Sequence, residues 1–122
     1  MINFIGPASE ECVRKLMEES DFLIIPAQQE AFGVANLEAL ATGLSVITSN
    51  AGGIPEVMDK GKNGWITDPK NPLELAKTIQ YAIENPEERL TKQQNGYDFV
   101  RRNFSHQQVL ERFLEILKKY RP

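Results

Sequence analysis

Two short runs constrain the fold most: Phe22-Leu23-Ile24-Ile25 and Leu44-Ser45-Val46-Ile47-Thr48. Each is too short for a helix; the four consecutive apolar residues of the first suggest a strand buried on both faces, and the second reads as another strand. Between them, residues 33–42 carry a helical pattern, with Val34, Leu37, Leu40 and Ala41 expected to face inward and Gly43 placed to end the helix. Strand, helix, strand is the repeat of a parallel sheet, because parallel neighbours need a long crossover connection.

The pattern continues on both sides. Ile2-Asn3-Phe4-Ile5, ended by Gly6-Pro7, reads as a further strand. Ser9 is placed to cap a helix whose Cys12, Val13, Leu16 and Met17 share one face. Asn50 to Pro55 is a turn opening a short helix from Pro55 to Met58, and Gly61-Lys62-Asn63-Gly64 turns the chain into an edge-like strand, Trp65-Ile66-Thr67. The rest is helical. Asn71 caps a helix beginning at Pro72, Asn85-Pro86 starts another running to about Arg102, and Ser105 caps a last one with a stripe of Val109, Leu110, Phe113, Leu114, Leu117 and Tyr120. The expected fold is α/β: a Rossmann-like parallel sheet of about four strands, flanking helices and a helical C-terminus.

Composition removes several function classes. A length of 122 residues suits one domain, and 41% apolar with 25% charged residues is ordinary globular usage. The net charge of −3 gives no electrostatic case for nucleic acid. Cys12 is the only cysteine, so no internal disulfide and no zinc cluster can form, and a reducing, cytoplasmic setting fits. Residues 1–20 are too charged for a signal peptide, and no apolar run is long enough to span a membrane.

The candidate chemistry lies in Glu30-Ala31-Phe32-Gly33-Val34-Ala35-Asn36-Leu37-Glu38. Ligands of open α/β sheets bind beyond the carboxyl ends of the strands, where this segment falls. The start of its helix offers free N–H groups and the positive end of a dipole, suited to a phosphate, and Gly33 lets a ligand approach the backbone. Glu30 stands one turn ahead of the helix and Glu38 on its second turn. A carboxylate there repels phosphate but accepts hydrogen bonds from vicinal hydroxyls, as acidic residues do with ribose. Gly52-Gly53 follows the next strand on the same rim, either admitting a ligand or making a tight turn. On spacing alone, the commoner arrangement of two such glutamates is a solvated pair. His106 reads as a surface residue and Trp65 as a packing anchor.

The run from Pro26 to Gly43, followed by Ser45-Val46-Ile47 and Gly52-Gly53-Ile54-Pro55-Glu56-Val57, closely resembles the retaining glycosyltransferases of group 1, also called family 4. Phe4-Ile5-Gly6, Gly61-Lys62-Asn63-Gly64-Trp65 and Phe104-Ser105 extend the match across nearly the whole chain. The resemblance implies the GT-B fold, two Rossmann-like domains facing a cleft, with this half holding a nucleotide diphospho-sugar donor, UDP- or GDP-linked. It implies that Glu38 holds the ribose hydroxyls and that Glu30 acts at the sugar's reacting centre. It assigns the N–H groups of Phe32, Gly33 and Val34 to the sugar hydroxyls and diphosphate, and close approach to Gly52 and Gly53. No metal and no cofactor beyond the donor are implied. Ala31 and Ala27 depart from the usual glycine and serine.

The family's acceptor domain, the first strands of its donor domain and a basic Arg/Lys pair have no counterpart here. The chain therefore reads as a single partial domain, 1–122, of a longer polysaccharide-building enzyme, inactive alone. Its expected partners are a nucleotide sugar and the missing acceptor domain, with self-association through exposed sheet edges and peripheral membrane contact of the parent enzyme as further expectations. The Ile2–Ile5 strand is expected to pair with Phe22–Ile25 or with a neighbouring copy. Competing readings are a sugar-phosphate synthase or glycogen-synthase-like enzyme, and a non-enzymatic flavodoxin- or receiver-like module. Asp21 and Asp68 fit a receiver poorly, and Gly6-Pro7-Ala8-Ser9 is a poor flavin phosphate loop.

Overall fold

The structure, a computed structural model, describes residues 2–26 and 34–103. Its elements run α1 (Glu10–Glu19), β1 (Phe22–Ile25), α2 (Val34–Thr42), β2 (Ser45–Ser49), α3 (Ile54–Val57), a 3-10 turn (Asp59–Gly61), β3 (Trp65–Thr67), α4 (Pro72–Glu84) and α5 (Pro86–Asn103). The three strands form one parallel sheet in the order β1-β2-β3, with Ile24 opposite Ile47 and Ile47 opposite Trp65. This is the Rossmann-like layer that the alternation of elements requires.

Local chemistry sets the helix ends. The Ser9 hydroxyl accepts the Cys12 amide at 3.2 Å, and Asn71 Oδ1 accepts the Glu74 amide at 3.0 Å with Pro72 in the first turn. Gly43 closes α2 at φ +84, a left-handed conformation that few side chains tolerate. There the Leu44 amide donates to the Ala39 carbonyl at 3.0 Å and the Gly43 amide to Leu40 at 3.1 Å, the paired bonds of a Schellman end.

The core gathers Met17 from α1, Leu37 and Leu40 from α2, Val46 from β2, Ile54 and Val57 from α3, Met58, and Val100 from α5. Val46 and Ile47 point to opposite faces and both are fully buried, so β2 is covered on each side.

Three expectations need correction. Ile2–Ile5 forms no strand and does not pair with β1; Phe4 is 97% exposed. The sheet thus has three strands among the described residues, not about four. Four residues gain little from extension without a neighbouring strand and a covering layer, and the described chain supplies neither. Strand β1 is half-buried, with Ile24 exposed, because it lies at the sheet edge rather than inside it. In α2 the buried set is Asn36, Leu37, Ala39 and Leu40; Ala41 is turned outward, one step of the helix past the core-facing stripe. The last helix expected from Ser105, its apolar stripe and His106 lie outside the described residues.

Candidate functional site

All three strands run the same way, so their carboxyl ends make a common rim. Ile25 lies opposite Thr48, and Ser49 opposite Thr67. The connections to α2, α3 and α4 all leave from this rim, and α2 starts its first turn there at Val34. The rim is where an open α/β sheet takes its ligand.

Of the candidate residues, Glu30, Phe32 and Gly33 lie outside the described residues. Val34 opens α2. Glu38 is exposed on the second turn of α2, and its backbone carbonyl accepts the Thr42 hydroxyl at 2.7 Å. With Ala8, Glu10, Arg14 and Glu18 it lines an open cavity of about 620 Å³ between α1 and α2. The carboxylate therefore meets a hollow rather than bare solvent, and Arg14 is the cation of that hollow.

Gly52 and Gly53 do different work. Gly52 sits at φ +51, where a side chain would be strained, and Gly53 at φ −85 caps α3 through its backbone. The Ile54 amide donates to the Ala51 carbonyl at 3.1 Å, closing the turn. Of the two openings left by the sequence, the turn is present; it holds both glycines on the rim beside the end of β2. Glu56 is exposed in the first turn of α3, where negative charge suits the dipole. Among the described residues no three His, Cys, Asp or Glu side chains gather as a metal site would require, and no helix is long and apolar enough to cross a membrane.

The rim also carries polar groups that the sequence reading did not single out. Asn36, in the first turn of α2, is 1% exposed and donates from Nδ2 to Thr48 Oγ1 at 3.2 Å. Thr48 Oγ1 donates to the Ile25 carbonyl at 3.2 Å, and Thr67 Oγ1 donates to the Thr48 carbonyl at 3.1 Å. A hydroxyl has one proton, and that of Thr48 is used on Ile25, so Asn36 must present its NH2. Its Oδ1 is then left buried with no partner, which costs about 1–3 kcal/mol. The signal available in sequence was an amide on the apolar face of a helix and a threonine inside an apolar strand.

Away from the rim, a further residue that the sequence reading passed over is Lys92 of α5, whose Nζ donates to the Gly61 carbonyl at 2.5 Å and the Gly64 carbonyl at 3.0 Å and lies 5.0 Å from the centre of the Trp65 ring. It fastens the turn that leads into β3. Burial pushes its ammonium below the ordinary lysine range, opposed by Glu88.

Comparison with known proteins gives these residues a family. Residues 1–99 match the family described as Glycosyl transferases group 1. Spore coat protein SA of Bacillus subtilis is 34% identical over 122 residues, covering 98% of this chain and 32% of that protein. The solved C-terminal domain of a group 1 glycosyl transferase from Francisella tularensis superposes with a TM-score of 0.71 at 30% identity, over 85% of this chain and 52% of that one. HepE of Anabaena, solved in complex with UDP-glucose, superposes with a TM-score of 0.73 at 28% identity, over 88% of this chain and 30% of that one. The chain spans no more than about a third of the length of the curated relatives it matches, 29% and 32% for two of them. A receiver- or flavodoxin-like module has no place beside a match over residues 1–99, and the chain belongs to the group 1 glycosyl transferases.

Proposed function

We propose that this chain is the donor-binding portion of a longer, retaining glycosyltransferase of the cytoplasm, which passes a hexosyl group from a nucleotide diphospho-sugar to a glycan, lipid or other acceptor. The observation that carries the reading is the start of α2 at the carboxyl rim of β1 and β2, with Glu38 one turn further along the same helix. A helix start on that rim is suited to a diphosphate. The UDP-glucose bound by HepE is a donor of this class.

In this reading Glu38 accepts hydrogen bonds from the ribose hydroxyls. The N–H groups of Phe32, Gly33 and Val34 meet the diphosphate and the sugar hydroxyls. Glu30 contacts the sugar at its reacting centre, and the Gly52-Gly53 turn leaves room for the donor on the same rim. As the bond from sugar to diphosphate breaks, negative charge grows on the leaving group. Fixed N–H dipoles stabilise that charge without reorganising. Holding the donor in line with the acceptor supplies the rest. The site needs no metal or further cofactor for these steps. The isolated chain, without an acceptor domain, turns nothing over.

The outer edge of β1 and the exposed Ile2, Phe4 and Ile5 are the surfaces through which the isolated chain would self-associate. A sugar-phosphate synthase or glycogen-synthase-like enzyme would use the same donor site and differ in its acceptor.

The test is a titration of the longer enzyme with a panel of UDP- and GDP-sugars, beside Glu38→Ala. Loss of hydrogen bonds to a charged acceptor is worth about 1.5–3 kcal/mol, so donor affinity should fall by roughly 10- to 100-fold while the thermal midpoint holds. Unchanged donor affinity would remove Glu38 from the site.

A further inference from the structure

Resting on the donor-site reading above, we infer that Asn36 is a positioning residue: its side-chain amide, pinned through Thr48 to the ends of β1 and β2, sets the first turn of α2 against the rim and so aims the helix-end N–H groups and Glu38 at the donor. The bonds run in one direction across the sheet. Thr67, the last residue of β3, ties to Thr48; Thr48 ties to Ile25, the last residue of β1; and Asn36 ties to Thr48. Asn36, Thr48 and Thr67 are all 2% exposed or less. The three strand ends and the start of the helix are thereby joined in the layer where the ligand is to sit.

A purely structural role explains this arrangement less well. Thr48 directly follows Val46 and Ile47, and Asn36 precedes Leu37 on the buried side of α2, so apolar residues suit the surroundings. Replacing both partners of a buried hydrogen bond by apolar groups is often neutral or stabilising. The amide instead leaves Oδ1 without a donor. What an apolar pair cannot supply is direction. Packing holds a helix against the sheet without favouring one direction along it, and the 3.2 Å bond adds a directional tie to a strand end. Donor binding by N–H groups is sensitive on that scale.

The experiment uses the longer enzyme carrying this chain, with the nucleotide sugar that the wild type selects from the panel. Four variants are compared: Asn36→Ala, Thr48→Val, the double variant and Thr48→Ser. Donor KM, acceptor KM, kcat and thermal midpoint are measured for each. The inference expects donor KM to rise roughly tenfold in Asn36→Ala and in Thr48→Val. Acceptor KM should hold, and the double variant should be no worse than the poorer single one, because both remove the same tie. Thr48→Ser keeps the hydroxyl and should restore donor KM. A structural role alone would lower the thermal midpoint of Thr48→Val, which leaves the Asn36 amide unpaired, and leave its donor KM within twofold of wild type. Donor KM within twofold of wild type in Asn36→Ala, or effects that multiply in the double variant, would overturn the inference. Should Thr48→Val not fold, Asn36→Ala and Thr48→Ser decide by the same criteria. If the wild-type enzyme binds no nucleotide sugar, the donor-site reading itself fails and takes this inference with it; normal wild-type binding with an unaffected Asn36→Ala sinks the inference alone.

Discussion

An alanine at Gly64 would put its methyl carbon 2.5 Å from the Val46 carbonyl oxygen and 2.5 Å from Met58 Cε. An ordinary carbon–oxygen contact is about 3.3–3.6 Å, so the overlap with the carbonyl is roughly 1 Å. Met58 is fully buried but has a flexible thioether that can swing aside at modest cost. The Val46 carbonyl cannot, because it belongs to the central strand and stands one residue before the Ile47–Trp65 pair. Relief must come from moving the start of β3 away from β2. Overpacking of this kind costs about 1–3 kcal/mol and occasionally more. The stiffer unfolded chain of an alanine variant returns about 0.4–1 kcal/mol. The balance is a loss of about 1–2 kcal/mol. With a urea slope of about 1–3 kcal/mol per molar, the unfolding midpoint should fall by roughly 1 M. Trp65, the only tryptophan and the next residue, reports the transition by fluorescence. Adding Met58→Ala should not rescue the variant, since the clash with the carbonyl remains. A Gly64→Ala midpoint equivalent to less than about 0.5 kcal/mol from wild type, the range of an uneventful surface change, would refute the argument.

Two further outcomes follow from contacts away from the rim. Lys92→Met keeps the aliphatic stem but strips the donors from the Gly61 and Gly64 carbonyls; a loss of about 1–2 kcal/mol in urea unfolding is expected, less than two full charged hydrogen bonds because the ammonium no longer has to be desolvated. Tyr81 donates its hydroxyl to Glu88 Oε2 at 2.6 Å, and that bond, then the Glu88 charge, then desolvation raise its pKa above the ordinary value. A raised folded pKa means a contribution present below the unfolded value of about 10 and lost as pH climbs through the folded one, so Glu88→Gln should bring the phenolate transition of Tyr81 down, followed by ring-carbon NMR, and remove that alkaline loss; an unshifted Tyr81 transition would show the contact is not made in solution.

Much of this fold was readable because its signals are local. Phe22–Ile25 is bounded by Asp21 and Pro26, Gly43 is the one residue type that closes α2 at φ +84 without strain, and Asn71-Pro72 starts α4 with a cap and a fixed φ. Ile2–Ile5 has the same local signal as β1 and forms no strand, because a strand exists only when something pairs with it. The phase of α2 was misjudged at Ala41 because its apolar residues occupy more than one face and only packing against α5 and β2 selects between them. Glu38 could be placed by spacing on the turn where it is found, but the hollow it lines is closed on its other side by α1, another element. Asn36 left only a faint signal, an amide among apolar neighbours, and Lys92 none: a buried amide and a lysine on carbonyls acquire meaning only through partners 12 and 28–31 residues away.

The middle strand is enclosed by one neighbour on each side and is buried at all five positions, while the strands flanking it are partly open. Its amides can meet deuterium only when the whole sheet comes apart. An exchange experiment should therefore show protection peaking at Ser45–Ser49 and decaying outward in both directions, with the slowest protons reporting the global unfolding free energy.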